Sequence, residues 1–523
     1  MKHLLLLTAA LLATQLTHAQ LLRTTVKQGD IEGVLHNGSA LYMRIPYAEP
    51  PVGNLRWKAP VEKQPWQGVY KSDTWGARPP QPVDPNQNGN DIPISEDCLY
   101  LSVQTPARST NDRLPVFVMI HGGAFLTGSY SGTQDSFVRQ GIIYCSIEYR
   151  LGALGFMAHP DLAKESPRHI SGNYGILDQI MALQWIHDNI AAFGGDPDKI
   201  TIAGESAGGI SVSILCASPL CKGLFRGAIS ESGGSFWPIG KSRNGNTAIL
   251  NSRDSETAGL ALQKKLKAKS IKQLRKTPFE DIVNNTPFES FWPCVDGYAI
   301  LNDQYKLYAN GQYNDVNILI GTNSDEGSMF AQPMPPADYQ TLIRSTYAQW
   351  ADSLLQIYPA NNDLEAYFAL SDIFRDGSFA WPTYAWANLQ SQTGQSNVYL
   401  YYFDQDSQNT ILPSRKGGAS HVAEMPFIYG YTYGPGMTTP IETHIAQIMS
   451  QYWINFTKTG NPNSDTLPYW TPYQQGQPTV MIIRNGFHLA PVPNLPQLTF
   501  FQNFFNAKRQ HNTLTNNTNS PAE

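Results

Sequence analysis

Short apolar runs recur along this chain, with stretches of helical spacing between several of them. The runs are continuous rather than alternating, which is typical of strands that are buried on both faces of a sheet. They predict strands at 114–120, 142–149, 200–203, 224–230, 316–321 and 398–403. Helical spacing is clearest at 178–189 and 443–457. Buried strands that alternate with helices predict the α/β class, with a large, mainly parallel central sheet flanked by helices.

Residues 335–395 have a different pattern. Aromatic and aliphatic residues recur there at helical spacing, without the runs of a buried strand, so this segment is predicted to be a helical insertion over the sheet. Neither repeats nor a low-complexity linker divide the chain, and residues 20–506 are therefore predicted to form a single domain. The Asn- and Thr-rich tail, residues 507–523, is predicted to be polar and disordered.

The N-terminus has the composition of a signal peptide. A charged start at Lys2 precedes an apolar run from Leu4 to Ala13, and small residues lead to Ala19. Residues 1–19 are therefore predicted to be cleaved before Gln20, because the run is short for a bilayer span. No later run reaches transmembrane length, so the mature chain is predicted to be secreted or periplasmic, without a membrane span.

Charge and cysteine content narrow the possible partners. A net charge of -5 gives no reason to expect nucleic acid as a partner. The chain has five cysteines, an odd number for an oxidising compartment, and none has metal-ligand spacing with histidine, so no metal site is predicted. Cys216 and Cys221 are close enough in sequence to form a disulfide, although two free thiols fit equally well.

The sequence Gly204-Glu205-Ser206-Ala207-Gly208 has the form of a nucleophile elbow. An apolar strand precedes it and a helix-compatible segment follows, which is the strand–turn–helix context that such an elbow needs. The turn would hold the Ser206 hydroxyl above the sheet edge, near a helix N-terminus whose amides favour negative charge. The flanking glycines allow the close approach of strand and helix. Ser206 is therefore the predicted nucleophile.

A serine nucleophile needs a base and a group that holds the base. In elbow-type hydrolases these partners follow the serine in the order acid, then histidine. Two adjacent carboxylates, Asp325 and Glu326, follow the strand at 316–321, and the residues alone leave both open. His421 lies on a Gly-rich loop after the strand at 398–403 and is the predicted base.

A tetrahedral intermediate also needs backbone N–H donors. The sequence His121-Gly122-Gly123-Ala124 follows a buried strand directly, and its small residues leave the amides accessible. Glycines after a strand are also common in ordinary turns. The presence of the elbow favours the donor interpretation.

Taken together, these motifs resemble those of the type B carboxylesterases, a family of α/β-hydrolases that includes bacterial p-nitrobenzyl esterases. The resemblance covers roughly residues 24–500. Its motifs are Ser95–Leu101, His121–Phe125, Asn173–Gln179, Phe193–Pro197, the serine motif, Asp325-Glu326-Gly327 and the segment around His421.

The resemblance implies an α/β-hydrolase fold with helical insertions over the active site. It implies a catalytic triad of Ser206, Glu326 and His421, with Asp325 as a surface or structural carboxylate. It also implies oxyanion donors at Gly123, Ala124 and Ala207. Two features depart from the family pattern. Ala124 stands where a third glycine is commonest, and Cys98 lacks the earlier cysteine with which the family pairs it.

The expected activity is hydrolysis of a small-molecule carboxylic ester through an acyl-serine intermediate, without a cofactor or metal. Phe236, Trp237, Phe288 and Phe291 resemble residues that line the acyl pocket in relatives, although aromatic core packing explains them equally well. A lipase acting on longer-chain acylglycerols is an alternative, as is, with less support, a non-catalytic binding protein on the same fold. The sequence does not indicate the physiological ester or the oligomeric state.

Overall fold

The structure of the protein is a computed structural model, with a twisted sheet at its centre. It describes residues 20–82, 92–129, 132–240, 248–288, 290–406, 416–430 and 439–518, with side chains as far as residue 511. Within these residues the central sheet has 11 strands, in the order β17-β16-β15-β14-β10-β9-β7-β8-β6-β4-β3. The strands are β1 Arg23–Val26, β2 Gly29–Glu32, β3 Val34–His36, β4 Ser39–Pro46, β5 Val69–Lys71, β6 Tyr100–Thr105, β7 Leu114–Ile120, β8 Ile143–Ile147, β9 Gly195–Glu205, β10 Gly227–Glu231, β11 Ile239–Gly240, β12 Ile249–Asn251, β13 Cys294–Val295, β14 Asn317–Asn323, β15 Val398–Phe403, β16 Thr479–Ile483 and β17 Phe487–Pro491.

The central strands, from β8 through β7, β9, β10, β14 and β15 to β16, all pair in parallel. Antiparallel strands are confined to the two sides, where β17 pairs with β16 and where β3, β4 and β6 continue the sheet from β8. Parallel strands need covering on both faces, which explains why their sequences are apolar throughout. The predicted large, mainly parallel sheet is confirmed.

Helices cover both faces. Two small three-stranded sheets, β1-β2-β5 and β11-β12-β13, lie outside the central sheet in the described part of the chain. The helices are α1 Asp135–Val138, α2 Gly152–Phe156, α3 Pro160–Glu165, α4 Tyr174–Asn189, α5 Ala207–Ala217, α6 Ser252–Lys265, α7 Ile271–Leu274, α8 Phe279–Asn285, α9 Gln304–Ala309, α10 Pro336–Tyr347, α11 Ala351–Ile357, α12 Asp363–Arg375, α13 Trp381–Thr393, α14 Met425–Ile428, α15 Pro440–Thr459 and α16 Leu495–Thr518. Short 3-10 segments occupy Gly53–Leu55, Ile190–Phe193, Pro219–Cys221 and Ala348–Trp350, and a π-helical turn joins α12 to α13 at Asp376–Ala380.

Two apolar cores lie against the sheet. The smaller core contains side chains of β7, β15 and α15, including Phe117, Tyr401 and Trp453. The larger core extends beneath the remaining helices. The helices α10 to α13 account for the helical segment predicted at 335–395. Helix α4 begins at Tyr174, earlier than the predicted 178, because its first turn is already buried against the core.

The C-terminal segment corrects one expectation. A disordered tail was predicted from residue 507, but α16 continues to Thr518. Phe501 and Phe505 of this helix are fully buried. One turn further on, Arg509 is also buried and its Nε donates to Asp303 Oδ2 over 2.7 Å. The prediction rested on the polar composition of the tail, which does not indicate this ion pair. The ion pair holds the helix against the domain.

All five cysteines carry free, buried thiols, so Cys216 and Cys221 are unpaired, as is Cys98. Among the described residues, no helix combines the length and apolar composition needed to cross a membrane. The predicted signal peptide, residues 1–19, lies outside the described residues.

Candidate active site

Ser206 lies in a strained turn between β9 and α5, with φ 57° and ψ −121°. The glycines on either side make this turn possible. A Cβ on Gly204 would lie 2.4 Å from the carbonyl carbon of Gly208, and a Cβ on Gly208 would lie 2.1 Å from the carbonyl oxygen of Ile120. The backbone N–H of Ser206 donates to the carbonyl oxygen of Glu231 on the neighbouring strand over 2.9 Å. This geometry is that of a nucleophile elbow.

His421 and Glu326 are brought together by the loops that follow β15 and β14. His421 Nδ1 lies 2.6 Å from Glu326 Oε2, and both side chains are buried. The other oxygen of Glu326 accepts from Ser232 Oγ over 2.5 Å and from the N–H of Asn323 over 2.7 Å. These bonds fix the carboxylate, so it can hold the imidazole in one orientation.

The neighbouring carboxylate, Asp325, faces other partners. It accepts hydrogen bonds from Ser328 Oγ and from Ser371 Oγ, the latter over 3.0 Å. Asp325 is 1% exposed, so its interpretation as a surface carboxylate is wrong and a structural role fits its contacts. The residues alone left Asp325 and Glu326 open as the partner of His421, and in the structure Glu326 Oε2 lies 2.6 Å from His421 Nδ1.

The loop after β7 lies against the elbow. A Cβ on Gly122 would lie 2.6 Å from the carbonyl oxygen of Glu205 and 3.2 Å from Ser206 Cβ. Gly123 and Ala124 both have positive φ, 99° and 55°, so the chain leaves the extended conformation of β7 at these residues. Ala207 begins α5, where a helix leaves its first N–H groups without internal acceptors. Gly123 and Ala124 therefore follow the residue that approaches the elbow, and Ala207 follows Ser206 directly at the N-terminus of α5.

Comparison with known proteins assigns the chain to a family. The model of the carboxylesterase family matches residues 20–500. The chain belongs to the carboxylesterase family. It is 32% identical over 484 residues to a para-nitrobenzyl esterase of Bacillus subtilis (strain 168), covering 88% of this chain and 94% of that protein. It is 34% identical over 481 residues to a human cocaine esterase, covering 84% and 82%. It is also 30% identical over 505 residues to a fumonisin B1 esterase of Sphingopyxis macrogoltabida, covering 90% and 87%.

This membership makes the protein a carboxylic ester hydrolase with the α/β-hydrolase fold. Its candidate base lies among several buried acids. Burial lowers the pKa of His421, but Glu205, Glu326 and Glu424 together outweigh it and raise that pKa to about 9. Glu205 Oε1 lies 3.2 Å from His421 Nε2, on the side of the ring opposite Glu326. Burial raises the pKa of Glu205 itself to about 8.

An aromatic group that sequence reasoning missed borders the imidazole of this carboxylesterase. The ring centroid of Phe379 lies 4.8 Å from that of His421, and the ring centroid of Phe330 lies 5.7 Å from that of His421. Phe374 stacks on Phe330 at 4.4 Å. We call these three residues the aromatic wall. In the sequence, the signal that could have indicated this aromatic group was the position of Phe330, four residues after Glu326.

The contacts of the aromatic residues predicted to line an acyl pocket can be described one by one in the carboxylesterase. Phe236 is fully buried and packs against Tyr308 and Trp386, while Trp237 Nε1 donates to the carbonyl oxygen of Gly377 over 3.0 Å. These contacts are those of core packing, the alternative that the sequence left open. Phe291 is buried and Phe288 is 66% exposed. Among the described residues, no group of three or more His, Cys, Asp or Glu side chains is arranged to hold a metal ion.

Proposed function

We propose that this carboxylesterase cleaves its ester through an acyl-enzyme on Ser206, with His421 as the general base and Glu326 as the group that orients it. One observation carries the proposal: the 2.6 Å contact between His421 Nδ1 and Glu326 Oε2, in the same site as a strained serine elbow. In such triads the acid holds the imidazole in the productive tautomer and stabilises its charged form.

The reaction runs in two halves. His421 Nε2 takes the proton of Ser206 as Oγ attacks the ester carbonyl, and the imidazolium then protonates the leaving alkoxide. In the second half His421 takes a proton from water, and the hydroxide attacks the acyl carbonyl. The proton returns to Ser206 as the acid product leaves, so the enzyme is regenerated without any cofactor.

The backbone N–H groups of Gly123, Ala124 and Ala207 stabilise the oxyanion of both tetrahedral intermediates in this proposal. Their support is the close approach of the glycine loop to Ser206 and the position of Ala207 at a helix N-terminus, where negative charge is favoured. Fixed donors cost little reorganisation when the charge develops.

The substrate class follows from the aromatic wall. Phe330 and Phe379 border the imidazole, so an aryl or other flat apolar ester has rings to pack against beside the reacting carbonyl. The name of one relative, para-nitrobenzyl esterase, agrees with an ester that carries an aromatic ring. A lipase would instead show a jump in rate above the micellar concentration of its substrate.

The decisive experiment compares Ser206→Ala with Ser345→Ala, which changes an exposed serine on α10. A fluorophosphonate should label the wild type and Ser345→Ala at equal rates and should leave Ser206→Ala unlabelled, while circular dichroism shows all three to be folded. Labelling of Ser206→Ala at the wild-type rate would contradict the nucleophile assignment.

We also propose that the chain is exported and cleaved before Gln20. The support is the sequence of residues 1–19, a charged start followed by an apolar run and small residues. The intact mass of the protein recovered from periplasm or medium should begin at Gln20. A mass that includes Met1 in those fractions would contradict this proposal.

A further inference from the structure

A row of acidic and phenolic side chains crosses the sheet beside the candidate active site. Glu205, Glu231, Gly321 and Tyr401 are register partners on the adjacent parallel strands β9, β10, β14 and β15. Partners in a parallel sheet present their side chains to the same face. Two residues earlier along each strand, the same face carries a row of buried hydrophobic side chains: Ala203, Ile229, Leu319 and Tyr399. The acidic row therefore lies at the edge of an apolar core.

The glycine in the row leaves room for the ring of Tyr401. A Cβ on Gly321 would lie 2.3 Å from the ring of Tyr401, so that ring occupies the space that a side chain at 321 would take. Trp453 of α15 covers the row, with its ring 5.4 Å from that of Tyr401 and its Nε1 donating to Glu231 Oε1 over 2.7 Å.

Several polar atoms of this row have no hydrogen-bond partner among the residues that the structure describes. These buried atoms are Glu231 Oε2, Glu205 Oε1 and the hydroxyl oxygen of Tyr401. His421 Nε2 lies 3.2 Å from Glu205 Oε1. Glu205 is 6% exposed and Glu231 is 1% exposed. Buried carboxyl oxygens without partners are costly, and a proton or an ordered water between them removes the cost.

Two buried carboxylates opposite one another cannot both be charged cheaply. Neighbouring strands lie about 4.8 Å apart, so the side chains of these register partners start close together. Like charges that interact in a buried site push one group to hold a proton. The cation that faces Glu205 is His421, which Glu326 and Glu424 also face. The groups facing Glu231 are Glu205, Glu424, Tyr401 and the indole N–H of Trp453. No cation is among the charged groups found to act on Glu231 in the described structure, so the proton belongs on Glu231.

We infer that Glu231 is a positioning residue of the hydrolytic centre, whose carboxyl group shares one proton with Glu205 through a hydrogen bond, direct or by way of one water molecule, and so holds a charged oxygen of Glu205 towards His421. The inference rests on the proposed role of His421 as the base. Burial also raises the pKa of Glu231 well above its ordinary range, in the direction that a retained proton requires.

The sign of the effect follows from this arrangement. If Glu231 donates to Glu205, it favours the charged form of Glu205, and that charge favours the imidazolium of His421. A variant that cannot donate leaves Glu205 neutral at higher pH. His421 then loses its proton more easily, and the acid limb of the pH profile moves to lower pH.

The test measures the acid limb of kcat/KM for an aryl acetate in the wild type and in five variants. Glu231→Met should move its midpoint down by about one pH unit, the size expected for loss of a neighbouring charge. Glu231→Gln, whose amide still donates, should keep the wild-type midpoint. Glu205→Gln should lower the midpoint, and Glu231→Met should add no further shift in that background. Glu62 is exposed, so Glu62→Gln is the matched control and should leave the midpoint of the acid limb unchanged.

Equal shifts in Glu231→Met and Glu231→Gln would overturn the inference, as would an undiminished shift of Glu231→Met in the Glu205→Gln background. A second readout does not depend on activity. The infrared difference spectrum between wild type and Glu231→Gln, at neutral pH, should contain the carbonyl band of one buried protonated carboxyl. Absence of that band would overturn the shared proton even if Glu231→Met fails to fold. Failure of the proposed function would instead show as labelling of Ser206→Ala.

Discussion

His421 Nδ1 lies 2.6 Å from Oε2 of Glu326, and this pair lies on the two loops that leave β15 and β14. The contact fixes which imidazole nitrogen carries hydrogen at neutral charge, because a carboxylate accepts and does not donate. In the proposed reaction, His421 Nε2 is therefore the nitrogen that receives the proton of Ser206. The orientation of one ring thus depends on a carboxylate that is itself held by Ser232 and the N–H of Asn323.

Replacing Glu326 by Gln should lower kcat by a factor on the order of 10⁴, because the amide favours the wrong tautomer of the histidine. Asp325→Asn should retain most of the activity, since Asp325 faces Ser328 and Ser371. The Asp325→Asn substitution should instead lower the free energy of unfolding. Steady-state kinetics and urea titration of both variants separate the two effects, and a larger kcat loss in Asp325→Asn would move the acid role to that residue.

The elbow could be predicted from sequence because its cause is local. Gly204 and Gly208 must lack side chains, and a buried strand must precede them, so the motif and its context are readable along the chain. The choice of Glu326 over Asp325 was less local. Both residues follow the same strand, and only the tertiary approach of the His421 loop distinguishes them, so the sequence alone needed a family resemblance to decide.

The activity of this enzyme should rise with pH through a midpoint above about 6.5, the reference value for histidine. Burial lowers the pKa of His421, but the surrounding carboxylates raise it to about 9 overall, so the inactive imidazolium persists to higher pH. Measurement of kcat/KM from pH 5 to 10 tests this. A midpoint at or below the reference value would show that the carboxylates near His421 carry little charge.

The raised pKa of His421 should also make the stability of the folded chain depend on pH. Stability should fall as the pH rises, whereas activity should increase. The folded chain holds the proton of His421 up to about pH 9, whereas the unfolded chain releases it near its reference pKa. This contribution to the free energy of unfolding is therefore fully present below about pH 6.5 and is lost as the pH rises through about 9. Urea titrations of wild type and His421→Gln across this window should converge at high pH.

Gly122→Ala should impair catalysis although φ at this position allows a side chain. The new Cβ would lie 2.6 Å from the carbonyl oxygen of Glu205, so the loop and the elbow must move apart. A displacement near 1 Å at a reacting centre costs on the order of 10² in kcat. Gly132→Ala is the matched control, because a Cβ there meets nothing within 4 Å. Equal kcat values for the two variants would mean that the loop yields without disturbing Ser206.

The aromatic residues beside His421 were harder to predict than the candidate catalytic residues. Phe374 and Phe379 belong to α12 and the π-helical turn after it, in a segment whose helical character was predicted but whose packing onto the His421 loop was not. Packing between an insertion and a distant loop leaves no periodic signal in either segment. Phe236 matched a family pattern by position, and its fully buried ring packs against the rings of Tyr308 and Trp386 in the core.

The aromatic wall and the earlier assignment of Phe288 make opposite predictions about one pair of variants. Phe330 is 37% exposed and its ring lies 5.7 Å from that of His421, so Phe330→Ala removes a surface on which an aryl ester can pack. An aromatic contact contributes about 0.5–1.5 kcal/mol beyond area burial, so kcat/KM for an aryl ester should fall up to about tenfold. The value for ethyl acetate, which has no ring, should change less. Phe288→Ala should leave both substrates unaffected, because this side chain is 66% exposed to solvent. The larger aryl-ester loss in Phe288→Ala would restore the acyl-pocket assignment and would remove the wall from the substrate site.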